Sequence, residues 1–210
     1  MEPLIHLTGP AAPLVRDNIN TDLIAPMFTP GTAGQPRGMT MTRGDLARML
    51  FAGWRYDKQD REISDFILNR EPFRQARFLI GGVNFGCGSS RDTAPKMLSA
   101  FGIRCVIAPS YGAIFYDNCF KSGMLPMIMN EAAVKELAHE AEGGGDFSLD
   151  LAAQKFTAPG GTILNFDVPA FRREQLLVGA DDIELTMRRN AEILEYQKRE
   201  RAMRPWTFLR

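Results

Sequence analysis

The sequence predicts an α/β fold, a mixed sheet covered by helices and closed by C-terminal helices, and three observations carry that prediction. Between residues 77 and 142, short apolar runs alternate with amphipathic segments of helical length, the pattern of a sheet covered by helices. Two alternating stretches, Phe147-Ser148-Leu149-Asp150-Leu151 and Ile163-Leu164-Asn165-Phe166-Asp167-Val168, flank the turn residues Pro159-Gly160-Gly161 and predict a hairpin. A chain of 210 residues, 45% apolar and 24% charged, buries a substantial core but leaves little room for a second independent unit, so one domain over 1–210 is expected.

The elements follow in order. The loop 28–42 contains Pro30, Gly31, Gly34, Pro36 and Gly38 without an apolar period and reads as long and irregular. A helix is expected over 43–51. The run Phe78-Leu79-Ile80 with Val83 predicts a strand over 77–85, and the next helix starts near Asp92 or Thr93. Pro95 then falls in its first turn, where a missing N–H costs nothing. A strand over 103–108 stops at Pro109, and Ser110 is placed to cap a helix over 111–121 that Gly123 ends. A strand over 125–129 precedes a helix over 131–142 with Val134, Leu137, Ala138 and Ala141 on one face. After the hairpin come a helix over 169–178 and another behind the cap Asp181-Asp182, carrying Ile183, Met187, Ile193, Leu194 and Tyr196.

Composition excludes several function classes. Twenty-five basic residues balance 25 acidic ones, so nothing global favours nucleic acid or an anionic membrane. The start Met1-Glu2-Pro3-Leu4-Ile5-His6 lacks the basic and apolar regions of a signal peptide, and no later run reaches the roughly 18 apolar residues of a membrane span. The cytoplasm is the expected compartment. Cys87, Cys105 and Cys119 are odd in number and widely spaced, matching neither a disulfide framework nor the close pairs of zinc sites. His6 and His139, the two histidines, sit near the terminus and on a helix surface, where solvated roles suffice.

Gly86-Cys87-Gly88-Ser89-Ser90-Arg91 lies between an expected strand and an expected helix, where α/β proteins commonly bind ligands. Glycines let the backbone turn sharply and approach a ligand. The helix start offers unpaired N–H groups and a partial positive charge, which favour an anion. Ser89 and Ser90 add hydroxyls, and Arg91 adds a planar fork suited to a carboxylate or a phosphate. On the residues alone, an anion pocket and a plain serine cap both remain open. The Gly-Lys-Ser/Thr ending of a P-loop and the spaced glycines of a dinucleotide turn are both lacking.

The segment Asn84-Phe85-Gly86-Cys87-Gly88-Ser89-Ser90-Arg91-Asp92-Thr93-Ala94-Pro95 resembles the signature of isopropylmalate dehydratase small subunits, within the aconitase superfamily. Asn18-Ile19-Asn20-Thr21-Asp22-Leu23-Ile24-Ala25-Pro26, Phe51-Ala52-Gly53-Trp54-Arg55-Tyr56 and Ile107-Ala108-Pro109-Ser110-Tyr111-Gly112-Ala113-Ile114-Phe115-Tyr116-Asp117-Asn118, and later Asp167 to Arg173 and Ile183 to Leu185, extend the resemblance over nearly the whole chain in the family's order. It implies a single swivelling domain of β/β/α type. It also implies a hydro-lyase subunit that dehydrates a hydroxy-diacid and rehydrates it with the hydroxyl on the neighbouring carbon.

By position in that motif, Ser89 is the base, acting as an alkoxide, while Ser90 and Arg91 hold substrate carboxylate. Counting back from Trp54 without gaps places Arg43 where the family carries another carboxylate-binding arginine. Asp22 is a candidate for orienting its loop, with a plain turn or cap as the competing reading. The resemblance assigns a [4Fe-4S] cluster to a separate large subunit, the expected partner, and none to this chain; Cys87 is not read as a cluster ligand. Two departures bear on the substrate. Thr93 stands where the family has histidine, and the loop 28–42 differs from the family's short substrate-sorting segment, with Met27, Phe28, Met39 and Met41 available as an apolar wall. The alternatives are a related dehydratase acting on another substituted malate, of citraconate or dimethylmalate type, and a non-catalytic module that binds a carboxylate.

Overall fold

The structure is a computed structural model that describes residues 1–26, 41–89 and 91–208. Among the described residues, seven strands form one sheet: β1 (His6–Leu14), β2 (Phe78–Gly81), β3 (Cys105–Ala108), β4 (Leu125–Ile128), β5 (Asp146–Asp150), β6 (Lys155–Thr157) and β7 (Ile163–Asn165). Their spatial order is β4-β3-β2-β1-β5-β6-β7. The first four pair in parallel, while β5 joins β1 antiparallel and continues as a meander through β6 and β7. The mixed sheet expected from the alternation of elements is therefore present.

β1 is the middle of that sheet, and sequence patterning misses it. His6-Leu7-Thr8-Gly9-Pro10-Ala11-Ala12-Pro13-Leu14 has two prolines and a glycine, which argue against a central strand. Register removes the conflict. β5 pairs with residues His6 to Pro10 and β2 with Ala11 to Leu14, so each half of β1 is bonded on one side only and the prolines sacrifice little of the ladder.

The sheet is buried on both faces in its parallel half. Phe78, Ile80, Cys105, Ile107 and Leu125 face one core with Phe120 and with Val134, Leu137 and Ala141 of α6 (Glu131–Glu142). Leu79, Val106 and Ala108 face a second core with Ala94, Met97 and Leu98 of α4 (Thr93–Phe101), joined by Ile24 of α1 (Thr21–Ile24) and by Phe115 and Cys119 of α5 (Ala113–Lys121). Strands covered on both sides read as continuous apolar runs, which is why β2, β3 and β4 were legible as strands.

Several boundaries differ from expectation. β2 ends at Gly81, because residues 82–85 already turn toward the loop that holds Asp17 and Asn18. Ser110 caps nothing: its hydroxyl accepts the N–H of Asn84 at 2.8 Å, and α5 starts after Gly112. The Pro-Gly-Gly turn joins β6 to β7, so the expected hairpin is a three-stranded meander whose middle strand was missed. The helix over 43–51 stops earlier as α2 (Arg43–Met49), closed at its start by a capping box between Thr42 and Asp45. Phe51, with φ 49°, then turns the chain into the short helix α3 (Ala52–Arg55). After α7 (Ala170–Val178), the helix expected behind Asp181 breaks at Arg188-Arg189 into α8 (Asp182–Met187) and α9 (Asn190–Met203). No helix among the described residues is long and apolar enough to cross a membrane.

Candidate active site

The glycine-serine turn leaves the C-terminal end of β2 and enters α4. Asn84, with φ 57°, begins the departure, and Asn18, with φ 56°, faces it from the loop after β1; the Asn84 amide donates to Asn18 Oδ1 at 2.8 Å. Asparagine tolerates this left-handed conformation better than most side chains. Two left-handed asparagines thus tie the loops together, and nothing in the apolar pattern pointed to them.

Beyond Asn84, Phe85 is fully buried and sits edge-on to Tyr111 and Phe115. Gly86 follows with φ 72°. A Cβ there would stand 2.1 Å from the ring of Phe115, so both conformation and space demand glycine. The N–H of Gly86 donates to Ile19 O at 2.7 Å, and the N–H of Thr21 donates to Cys87 O at 2.8 Å, which locks the turn to the start of α1. The Thr21 hydroxyl, almost fully buried, donates to Ser89 O at 2.9 Å. The backbone around Ser89 is thus held from below while its side chain is left exposed.

Arg91 crosses the mouth of this turn. Its Nε donates to Ser89 Oγ at 3.2 Å, one Nη donates to Ala25 O at 3.2 Å, and the other forms an ion pair with Asp22. A carboxylate, a guanidinium and a hydroxyl are linked in sequence, with the hydroxyl as the accepting end. A cation donating to a serine oxygen favours the oxyanion over the neutral hydroxyl. The nine-residue helix α4 starts just beyond, and the side chain of Asp92 makes no cap bond there; it pairs with Lys96 instead.

The structure brings Ser89, Arg91 and Asp22 together. Ser90 and most of the loop 28–42, with Met27, Phe28 and Met39, lie outside the described residues. Arg43 is not brought to the turn. Its guanidinium donates to the carbonyls of Ala100 at 3.4 Å and Ser99 at 3.5 Å, at the other end of α4. The cause is packing direction: the start of α2 lies beside the end of α4, so gap-free counting located the residue in the helix without locating the helix in space. Arg43 helps line a cleft of about 400 Å³ with Lys96, Arg104 and Lys121.

The three thiols do not converge. Cys105 and Cys119 are fully buried in different core clusters, and burial pushes both well above the ordinary thiol range, whereas Cys87 is partly exposed in the turn. Among the described residues, no group of three or more histidine, cysteine, aspartate or glutamate side chains is placed to hold a metal ion. The donor set described here therefore does not fit an iron-sulfur cluster.

The family model for the aconitase C-terminal domain matches residues 1–132, which include the whole turn. A protein of Parvibaculum lavamentivorans named 3-isopropylmalate dehydratase small subunit is 43% identical over 209 residues, covering 98% of this chain and 100% of the relative. One of the same name from Rhodospirillum centenum is 45% identical over 211 residues, covering 99% and 100%. The solved structure of a 3-isopropylmalate dehydratase from Methanocaldococcus jannaschii superposes with a TM-score of 0.63 at 23% identity, over 92% of this chain and 99% of that one, a likeness of fold. A full-length match at this identity, on a fold of the same type and through a turn of this geometry, makes the chain a member of the family of 3-isopropylmalate dehydratase small subunits.

Proposed function

We propose that this chain is the small subunit of a two-subunit hydro-lyase that interconverts 2-isopropylmalate and 3-isopropylmalate, the isomerisation step of leucine biosynthesis, with Ser89 as base and Arg91 and Ser90 as carboxylate holders. The observation that carries the reading is the contact between Arg91 Nε and Ser89 Oγ, on a turn whose backbone leaves the hydroxyl exposed. In dehydration, the Ser89 alkoxide takes the proton from the substrate carbon as the hydroxyl departs from its neighbour and a carbon-carbon double bond forms. Rehydration returns a proton and a hydroxyl to exchanged positions. Serine is far too weak an acid to ionise unaided at neutral pH, so the anion must be stabilised locally. The Arg91 guanidinium and the start of α4 supply positive charge at that place.

The iron-sulfur cluster belongs, on this reading, to a large-subunit partner, and the domain spans 1–210 in the cytoplasm. The match to relatives named as enzyme subunits favours catalysis over a carboxylate-binding module. A second substrate class is favoured by two sequence features, Thr93 behind the turn and the unusual loop 28–42.

The test is reconstitution. The purified chain mixed with its large subunit is expected to dehydrate 3-isopropylmalate. Ser89→Ala in the same mixture is expected to lose activity by at least the roughly 100- to 10,000-fold that a general base contributes, with assembly unchanged. Turnover within a few-fold of wild type would show that Ser89 is not the base. Equal or faster turnover of citraconate or dimethylmalate would replace isopropylmalate as the substrate.

A further inference from the structure

Arg43 has the chemistry of an anion holder but stands away from the catalytic turn, at the other end of α4. The nine residues of α4 separate the two places by roughly 13 Å of helix. Around Arg43 lies a cleft of about 400 Å³, within the range of roughly 300–1,000 Å³ typical of small-molecule sites. Four cations line it, and each comes from a different part of the chain: Arg43 from the start of α2, Lys96 from the middle of α4, Lys121 from the last turn of α5 and Arg104 from the residue before β3. A solvated helix face draws its charges from one element. Here the packing of three helices and a strand brings them together.

The cleft is short of negative charge. Glu2 is the one carboxylate among its lining residues, and Arg104 takes it, with Nη1 donating to Glu2 Oε2 at 3.1 Å. Lys96 pairs with Asp92 one turn back along α4. Among the described residues, neither Arg43 nor Lys121 has a carboxylate within ion-pair distance. Basic and acidic residues cancel over the whole chain, 25 against 25, so two uncompensated cations on one concave surface are a local excess. Concave walls of low dielectric focus such a field. The cations also press on one another. Arg104 is almost fully buried; burial lowers its pKa, Glu2 opposes that, and Arg77 and Arg43 add to the lowering by repulsion.

Cations near helix C-termini often serve the free carbonyls there. Backbone N–H groups already take most of these. In α4, Leu98 O accepts from Gly102 and Ile103, and Ser99 O from Gly102. In α5, Asn118 O accepts from Ser122, Cys119 O from Ser122 and Met124, and Phe120 O from Gly123. Arg43 reaches Ala100 O and Ser99 O at 3.4 and 3.5 Å, the outer limit of hydrogen bonding. Such long bonds leave the guanidinium fork open to a stronger acceptor.

We propose that this cleft is a binding site for a small dianion, a phosphate monoester or a dicarboxylate, gripped by Arg43 and Lys121 between α2, α4 and α5. Two uncompensated cations match a ligand of two negative charges, the arginine binding as a planar fork and the lysine as a point charge. Nucleic acid would call for a basic stripe along a surface, whereas this excess is confined to one cleft of a neutral chain. A ligand held there ties three helices to one another, so the folded chain gains stability as ligand is added.

The experiment uses the full chain at fixed ionic strength, with glycerol phosphate and succinate as dianion probes and acetate and chloride as monovalent controls. Binding is followed by titration calorimetry and by thermal melts. Wild type is expected to bind at least one of the dianions saturably and to melt roughly 5 to 10 °C higher at a hundred-fold excess over Kd. Tighter binding of glycerol phosphate identifies the ligand as a phosphate monoester, and tighter binding of succinate as a dicarboxylate. Arg43→Gln and Lys121→Gln, on different helices, are each expected to weaken binding by at least about ten-fold and to remove most of the melting shift, with circular dichroism unchanged. Arg91→Gln, in the turn, is expected to bind as wild type does. Binding that Arg91→Gln removes and Arg43→Gln retains places the anion on the turn and overturns the assignment. A dianion effect no larger than that of acetate or chloride is screening of surface cations and overturns it as well. Both of these outcomes leave the role of Ser89 standing.

Discussion

At the scale of single residues, Asp22 is the side chain whose importance the structure raises most. It pairs with Arg91, and Arg91 in turn donates to Ser89. Asp22 is a positioning residue in this arrangement, because it acts on the reacting serine only through the guanidinium. An exposed ion pair contributes less than about 1 kcal/mol to folding, whereas a small displacement of a group at a reacting centre can cost about 100-fold in rate. Asp22→Asn is therefore expected to leave the thermal midpoint nearly unchanged and to lower kcat/KM of the reconstituted enzyme by about 10- to 100-fold. A variant that lost stability and activity in proportion would instead mark Asp22 as structural. The sequence leaves Asp22 open between orienting its loop and a plain turn or cap, since spacing shows a carboxylate near a helix start but not which cation stands across from it.

At the scale of elements, the turn is a product of steric exclusion. Gly86→Ala places a methyl group into the Phe115 ring at a φ of 72°. The combined overpacking and left-handed strain is on the order of 3 kcal/mol, so the melting temperature is expected to fall by roughly 10 °C and activity with it. A melt within 2 or 3 °C of wild type would show that Phe115 can move aside.

Carboxyls held below their ordinary range lie in the segment around α2 and α3. A hydrogen bond from the Thr42 hydroxyl lowers the Asp45 pKa, the backbone N–H of Arg61 lowers that of Asp57, and Arg74 lowers that of Glu62. Carboxyls depressed in the folded chain contribute stability above their unfolded values, and that stability is lost as pH falls through the folded ones. Hydrogen exchange is therefore expected to show residues 42–75 losing protection below about pH 4 before the strands of the parallel sheet do. Simultaneous loss across the whole chain would contradict this.

At the scale of the whole molecule, the double-sided burial of the parallel sheet has a chemical consequence. Cys105 and Cys119 belong to the two opposite cores, and Cys87 alone reaches the surface in part. A thiol-specific reagent at neutral pH is expected to modify one cysteine in the folded chain and all three in denaturant. Three equivalents reacting in one phase without denaturant would mean that the cores open readily. The same burial explains why the parallel strands stood out in sequence as apolar runs, while β1, lying between two neighbours that each take half of it, did not.

The sequence by itself determined the alternation of elements, the start of α4 and both ends of α6, and the turn with its serines and arginine, because each is written in a local period or a local motif. It also carried the family, since the matching segments run along the whole chain in order. Only the tertiary structure decided which partners those segments meet. It placed β1 at the centre of the sheet, set Asp22 against Arg91, carried Arg43 to the far end of α4, and left α8 and α9 without a buried residue. Pairing register and helix direction are long-range choices, settled by which surfaces bury each other, and no window of neighbouring residues contains them.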